Sequence, residues 1–181
     1  MIAWISLHLQ LLTTAQISQK IDISGDIAMT TNVLNNYPQM PPLTEEEITV
    51  FLHQPLIAKL GTLNEDGTIH IVPVVFKYEK AEFLIGAQSA NRRIKNIERD
   101  PKVTLLVDDP NFPFKAVLVY GVALLDYDDV LQKRIAILEK YNPREQAVQM
   151  AEGLCARWES VIIRIQPDRM VSFDYAKAAM P

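Results

Sequence analysis

The sequence predicts a mainly β protein with flanking helices, folded as an antiparallel barrel. Three observations carry that expectation. Six or seven β-rich runs follow one another through short, turn-rich links, which is the pattern of successive hairpins. Short helical stretches separate some of them, but no regular strand–helix–strand alternation appears, so a doubly wound parallel sheet is not expected. A closed or split barrel then hides the strand edges that an open sheet would leave bare.

The elements follow in order. Thr44 and Glu47 form a capping box after Pro41-Pro42, and a helix should run from Thr44 to His53 with Ile48, Phe51 and Leu52 inward. Leu56–Leu63 and Thr68–Tyr78 are β runs separated by Asn64-Glu65-Asp66-Gly67, a hairpin signal because glycine tolerates positive φ. Pro73 cannot donate to a ladder, so its strand should have an edge, a bulge or a ligand there. Glu82–Ala87 follows a tight turn at Glu79-Lys80. Ala90–Arg99 is a short helix ended by Pro101, with Ile94 and Ile97 inward. Val103–Asp108 and Ala116–Leu125 are strands, the second bent or bulged at Gly121. Asp128–Tyr141 and Pro143–Leu154 have helical spacing, with Leu131, Ile135 and Leu138 on one face of the first. Ser160–Ile165 and Met170–Tyr175 are strands around Gln166-Pro167-Asp168.

Composition narrows the function classes. With 181 residues, 49% apolar and 22% charged, the chain supports one ordinary globular core. A net charge of −4 makes nucleic acid a poor partner. The single cysteine, Cys155, allows no internal disulfide and no cysteine-based zinc site, and the composition fits a reducing cytoplasm. His8, His53 and His70 are scattered, without ligand spacing. Met1–Leu12 is apolar, but it lacks the basic start of a signal peptide and is too short to cross a bilayer; no membrane association is expected. Residues 1–40 read as an irregular arm and 41–181 as the domain. Met29 as the biological start, or a first element packed on the barrel, are alternatives for that arm.

One segment points to chemistry. Gln88-Ser89-Ala90-Asn91-Arg92-Arg93 leads into a helix, and over Asn91–Lys102 the cations Arg92, Arg93, Lys95, Arg99 and Lys102 outnumber Glu98 and Asp100. Free backbone N–H groups, the helix dipole and forked guanidiniums all favour phosphate there. Ser89 or Asn91 is placed to cap the helix and to donate to a phosphate oxygen. From spacing alone, a solvated basic face with an ordinary cap is the favoured reading. Other polar features have plainer readings. Glu45-Glu46-Glu47 suits a helix start, the Asp108-Asp109 and Asp126-Asp128-Asp129 groups suit turns, Cys155 suits a structural thiol, and His70 suits a cross-strand partner.

The Val-Pro-Val-Val-Phe-Lys run, the Phe-Leu-Ile-Gly-Ala run, Ser-x-x-Arg-Arg-Ile-Lys-Asn-Ile and the closing Arg-Asp-Pro-Lys-Val-Thr-Leu, in that order over Thr68–Asp108, resemble the pyridoxamine 5′-phosphate oxidase-like FMN-binding split-barrel family. The likeness extends more weakly over Leu43–Tyr175. It implies a Greek-key split barrel and a homodimer with FMN at the subunit interface. By position, Val72, Pro73, Val74, Val75 and Lys77 would line the isoalloxazine ring and ribityl chain. Ala87 and Gln88 would lie beside the cofactor, and Arg92 and Arg93 would grip its phosphate. Lys115 would reach the flavin or phosphate, and Trp158 would stack near the ring from the other subunit. Asn91 and Ala87 stand where the family often has serine and threonine, so Ser89 would have to substitute for a lost hydroxyl. Val72 replaces an arginine typical of the true oxidase, and the residues after Phe173-Asp174-Tyr175 lack its arginine- and histidine-bearing tail. The implied function is therefore an FMN-dependent oxidoreductase other than the vitamin B6 oxidase, acting on an unidentified small molecule. A deazaflavin- or haem-binding member of the fold, or a non-catalytic flavin store or sensor, are the alternatives.

Overall fold

The structure is a computed structural model and describes residues 41–178. The expected arm, Met29 and His8 lie outside the described residues. Helix α1 is Glu45–His53. Strands β1 (Ala58–Leu63), β2 (Ile69–Val74), β3 (Lys77–Glu79) and β4 (Glu82–Gln88) follow, then α2 (Arg92–Arg99). Next come β5 (Lys102–Asp109), β6 (Lys115–Asp126), α3 (Val130–Leu138), α4 (Arg144–Arg157) and β7 (Ser160–Asp174). None of these helices is long and apolar enough to cross a membrane.

The expected capping box starts α1. Glu47 N–H donates to Thr44 Oγ1 at 3.2 Å, and Thr44 N–H donates to a Glu47 carboxylate oxygen at 2.7 Å. The Lys177 ammonium beside that carboxylate, together with Thr44, holds Glu47 down at about 2. The hairpin at Gly67 has the positive φ of +82° that its sequence implies.

All seven strands are antiparallel, in the order β2-β1-β5-β6-β7-β4-β3. The two edges, β2 and β3, are consecutive in the chain and joined only by Val75-Phe76. The sheet therefore curls until one short link passes from edge to edge, which makes the split barrel. The run expected as one strand, Thr68–Tyr78, is two strands for this reason: its first half pairs with β1 and its second with β4. Phe76 turns into the core between them and is fully buried. The Tyr141 hydroxyl secures the link, accepting from Phe76 N–H at 3.0 Å and lying 2.8 Å from the Leu56 carbonyl that it donates to. Burial pushes its pKa up to about 12, so it remains a donor. Pro73 sits on edge strand β2, where its missing N–H costs little.

The converse correction applies at the other end. Ser160–Ile165 and Met170–Tyr175, expected as two strands, belong to one continuous β7. Tyr120 faces Arg169 but Gly121 faces Pro167, so Asp168 is an inserted residue and the ladder shifts. The inward side chains change phase across this bulge, from Ile163 and Ile165 to Met170.

The inner face of the sheet makes the core: Leu60, Phe83, Ile85, Leu105, Val107, Val119 and Ile163 are all fully buried. Asn96 of α2 reaches into it, donating to Thr62 Oγ1 at 3.0 Å and Asn64 Oδ1 at 2.9 Å, and so ties α2 to β1. The outer face is divided. Over β4 and β7 it is covered by α3, where Ile137 and Val130 pack on Leu84 and Ile162. Over β2, β1, β5 and β6 no described element covers it. Ile69, Ile71, Leu106, Leu118 and Val122 there line an open apolar groove of about 730 Å³. Ile69 and Ile71 are 69% and 62% exposed, on an edge strand that would ordinarily be polar outward.

Candidate functional site

The site forms where β4 ends. Gln88 pairs with Ser160 at the start of β7, and Ser89 N–H donates to the Glu159 carbonyl at 2.9 Å. The chain then turns through Ala90 into α2, with Asn91 at the N-cap in extended conformation. The Asn91 side chain does not cap the helix, so it is free for another partner. Because Ile94, Asn96 and Ile97 face the core, consecutive arginines at the helix start diverge. Arg92 stays in water; the Thr68 hydrogen bonds hold the Asp66 carboxyl below its ordinary pKa, and the charge of Arg92 adds to their effect. Arg93 turns inward to a cavity of about 230 Å³.

Val75, Gly86, Ala87, Gln88, Asn91 and Arg93 line one side of this cavity; Arg134, Ile137 and Leu138 of α3 and Leu154 of α4 line the other. Arg134 is only 7% exposed. Its Nη2 donates to the Ala87 carbonyl at 2.6 Å, while its Nε has no hydrogen-bond partner. It lies against Gly86, where an added Cβ would stand 3.1 Å from Nη1. Arg93 Nε and Ser89 Oγ are likewise buried without partners.

The electrostatics are unusual for a protein interior. Burial pushes both guanidinium pKa values down, and the charge of Arg134 adds to the effect on Arg93. Arginine nonetheless stays protonated. Except for Lys140, which donates to the Leu52 carbonyl and lies over the Phe76 ring, and whose pKa burial lowers to about 7, other partly buried cations have carboxylates: Lys77–Glu79 at 2.8 Å, Lys115–Asp174 at 2.9 Å and Arg164–Glu82 at 2.7 Å. Among the described residues neither Arg93 nor Arg134 has one. A desolvated pair of like charges costs several kcal/mol in the absence of a counter-charge, on the order given for uncompensated buried ions. The described residues supply the two guanidiniums with no counter-charge in the cavity. The cavity is smaller than the roughly 300–1,000 Å³ that encloses a whole cofactor-sized ligand, so it suits one end of one.

Of the residues singled out by sequence, Val75, Ala87, Gln88, Asn91 and Arg93 converge on this cavity, and Ser89 lies between two of them. Val72 and Val74 point to the core, Pro73 outward, and Lys77 and Lys115 pair with Glu79 and Asp174. Trp158 caps the end of α4, with Arg157 over its ring at 5.3 Å, and borders a separate surface groove. His70 stands opposite Thr62 on β2 and does not line the cavity. Asp126 serves Lys133 at 2.8 Å and the Asp128 N–H at 2.9 Å, a turn role. Arg134 was not singled out. Its signal was present: an arginine three and four residues before Ile137 and Leu138 shares their inward helix face.

Comparison with known proteins agrees with this architecture. The sequence profile of the Pyridoxamine 5'-phosphate oxidase family matches residues 44–162. No curated protein matches. Among solved structures, the conserved hypothetical protein Rv2991 of Mycobacterium tuberculosis is 22% identical, with a TM-score of 0.70 over 80% of this chain and 92% of its own. The haem storage protein HutZ of Vibrio cholerae is 17% identical, TM-score 0.59, over 72% and 94%. A FAD-binding protein of Mesorhizobium loti is 21% identical, TM-score 0.54, over 75% and 98%. At these identities the likeness is one of fold, and with the profile match spanning most of the split barrel, the chain belongs to the pyridoxamine 5′-phosphate oxidase family.

Proposed function

We propose that this chain is an FMN-binding flavoprotein of the cytoplasm, acting as an oxidoreductase on a small molecule. The observation that carries the reading is Arg93: a guanidinium withdrawn from water, without a carboxylate, at a helix start beside Gln88, Asn91 and an unpartnered Ser89 hydroxyl. These donors fit a phosphate. When bound, the flavin supplies the electron-transfer chemistry. The chain's own residues hold the phosphate and orient the remainder, so no side chain is assigned as acid or base. Pro73, Lys77, Lys115 and Trp158, which lie off the cavity, are assigned to the parts of the cofactor beyond it, Trp158 from the second subunit, while the core-facing Val72 and Val74 are not.

The test is the visible spectrum of the purified protein before and after heat release. Two oxidised-flavin bands with stoichiometric released FMN are expected. A single deazaflavin-like band or a sharp Soret band would replace the cofactor assignment. A colourless protein that takes up no added FMN would overturn it.

The reading includes a homodimer. The apolar face of β2, β1, β5 and β6, which no described element covers, supports a second copy as its cover. That groove is bordered by Lys102 and Asp168, exposed charges of opposite sign without an ion-pair partner among the described residues, which a two-fold arrangement could set against each other. Light scattering should give twice the subunit mass. Ile71→Glu should give monomers, and a dimeric I71E protein would remove this face from the interface.

A further inference from the structure

We infer that Arg93 and Arg134 together select a doubly charged phosphate monoester terminus, and that Arg134 is the specificity-determining member of the pair. The inference rests on the reading of this cavity as the phosphate end of the cofactor site. Two guanidiniums share the cavity, both mostly desolvated, with no carboxylate from the described residues. A dianion neutralises both. A phosphodiester, with one charge, leaves a net buried cation, and an uncharged ligand end leaves two. A monoester also presents three free oxygens to two forked donors, whereas a diester presents only two.

Arg134 is held in place for this role. Its Nη2 is anchored on the Ala87 carbonyl at 2.6 Å, and Gly86 leaves the space in which it lies. That anchorage leaves Nε unpartnered although the residue is only 7% exposed. The remaining walls, Ile137, Leu138 and Leu154, offer a polar chain continuing past the phosphate no hydrogen bonds. The ligand should therefore terminate here.

The experiment compares FMN, riboflavin and FAD binding to the full chain and to Arg134→Gln, Arg134→Lys and Gly86→Ala, with melting curves to establish folding. Inorganic phosphate alone is run as a further probe. The wild type should prefer FMN over both riboflavin and FAD. R134Q should lose that preference by about 10- to 100-fold, the range for charged hydrogen bonds, with riboflavin affinity unchanged. R134K should fall between them. G86A keeps the charge but crowds the guanidinium, which must give way by a few tenths of an ångström, so it should lose part of the preference and fall between wild type and R134Q; with R134K this arm decides the matter if R134Q does not fold. Inorganic phosphate should raise the melting temperature of the wild type and not of R134Q. Equal FMN preference in wild type and the variants would overturn the role of Arg134, and FAD binding as tight as FMN would overturn monoester selection. If no flavin binds but phosphate stabilises only proteins with Arg134 in place, the selector stands and the flavin reading fails.

Discussion

Replacing Arg93 by alanine should weaken FMN binding by about 1.5–3 kcal/mol, roughly ten- to a hundred-fold, the range for a charge-assisted hydrogen bond. The size of the effect follows from burial. Arg93 is half-buried, so its contacts with a phosphate are less screened by salt and less open to solvent than those of an exposed arginine. Removing it also relieves the repulsion from Arg134, so the unliganded protein should lose little stability. Loss of affinity without loss of folding separates a ligand role from a structural one. Arg92 is the internal control: its guanidinium is exposed on the other side of the helix start, and Arg92→Ala should change affinity by under about 1 kcal/mol, as for exposed charges. The measurement is fluorescence titration of FMN into each variant. Affinity unchanged in R93A, or equal losses in R92A and R93A, would remove Arg93 from the site.

Gly121→Ala should destabilise the fold by about 3 kcal/mol or more, at the upper end of overpacking costs. A Cβ at this position would stand 2.2 Å from the Gln166 carbonyl oxygen and 3.0 Å from its carbon. Both are backbone atoms, so no rotamer change relieves the contact. The β6–β7 ladder would have to open at its bulge, next to fully buried Ile165. Gly61→Ala is the contrasting case, since its nearest neighbour would be 3.5 Å away, an ordinary contact. Urea unfolding of both variants checks this: G121A should lose much of the wild-type midpoint while G61A stays close to it. A G121A midpoint equal to wild type would mean that the bulge accommodates a side chain.

The two corrections to the strand pattern share a cause. Sequence periodicity registers where side chains alternate, not which strand they pair with. Thr68–Tyr78 alternates without a break, yet barrel closure needs its two halves on opposite edges. Gln166-Pro167-Asp168 looks like a turn, yet the partner strand has a glycine opposite that absorbs the extra residue. Gly121 itself was readable as a bulge. What it accommodated was not, because the opposing residues lie more than forty positions away in the chain.

The sequence by itself determined the local features: the Thr44–Glu47 box, the Gly67 turn, a short helix within Ala90–Arg99, the family likeness and the cluster of polar and basic residues at Gln88–Arg93. Each depends on neighbours within a few residues, where capping, φ preference and helical spacing act directly. Only the tertiary structure decided which arginine turns to the cavity and which side chains line its far wall. Arg92 and Arg93 are equivalent as letters, and the burial of Ile94 and Ile97 turns one out and the other in. Arg134 comes to Ala87 from 47 residues away, carried by a helix whose position depends on Leu84 and Ile162 beneath it. A site that joins a sheet end to a distant helix is set by packing, and packing is a property of the whole chain.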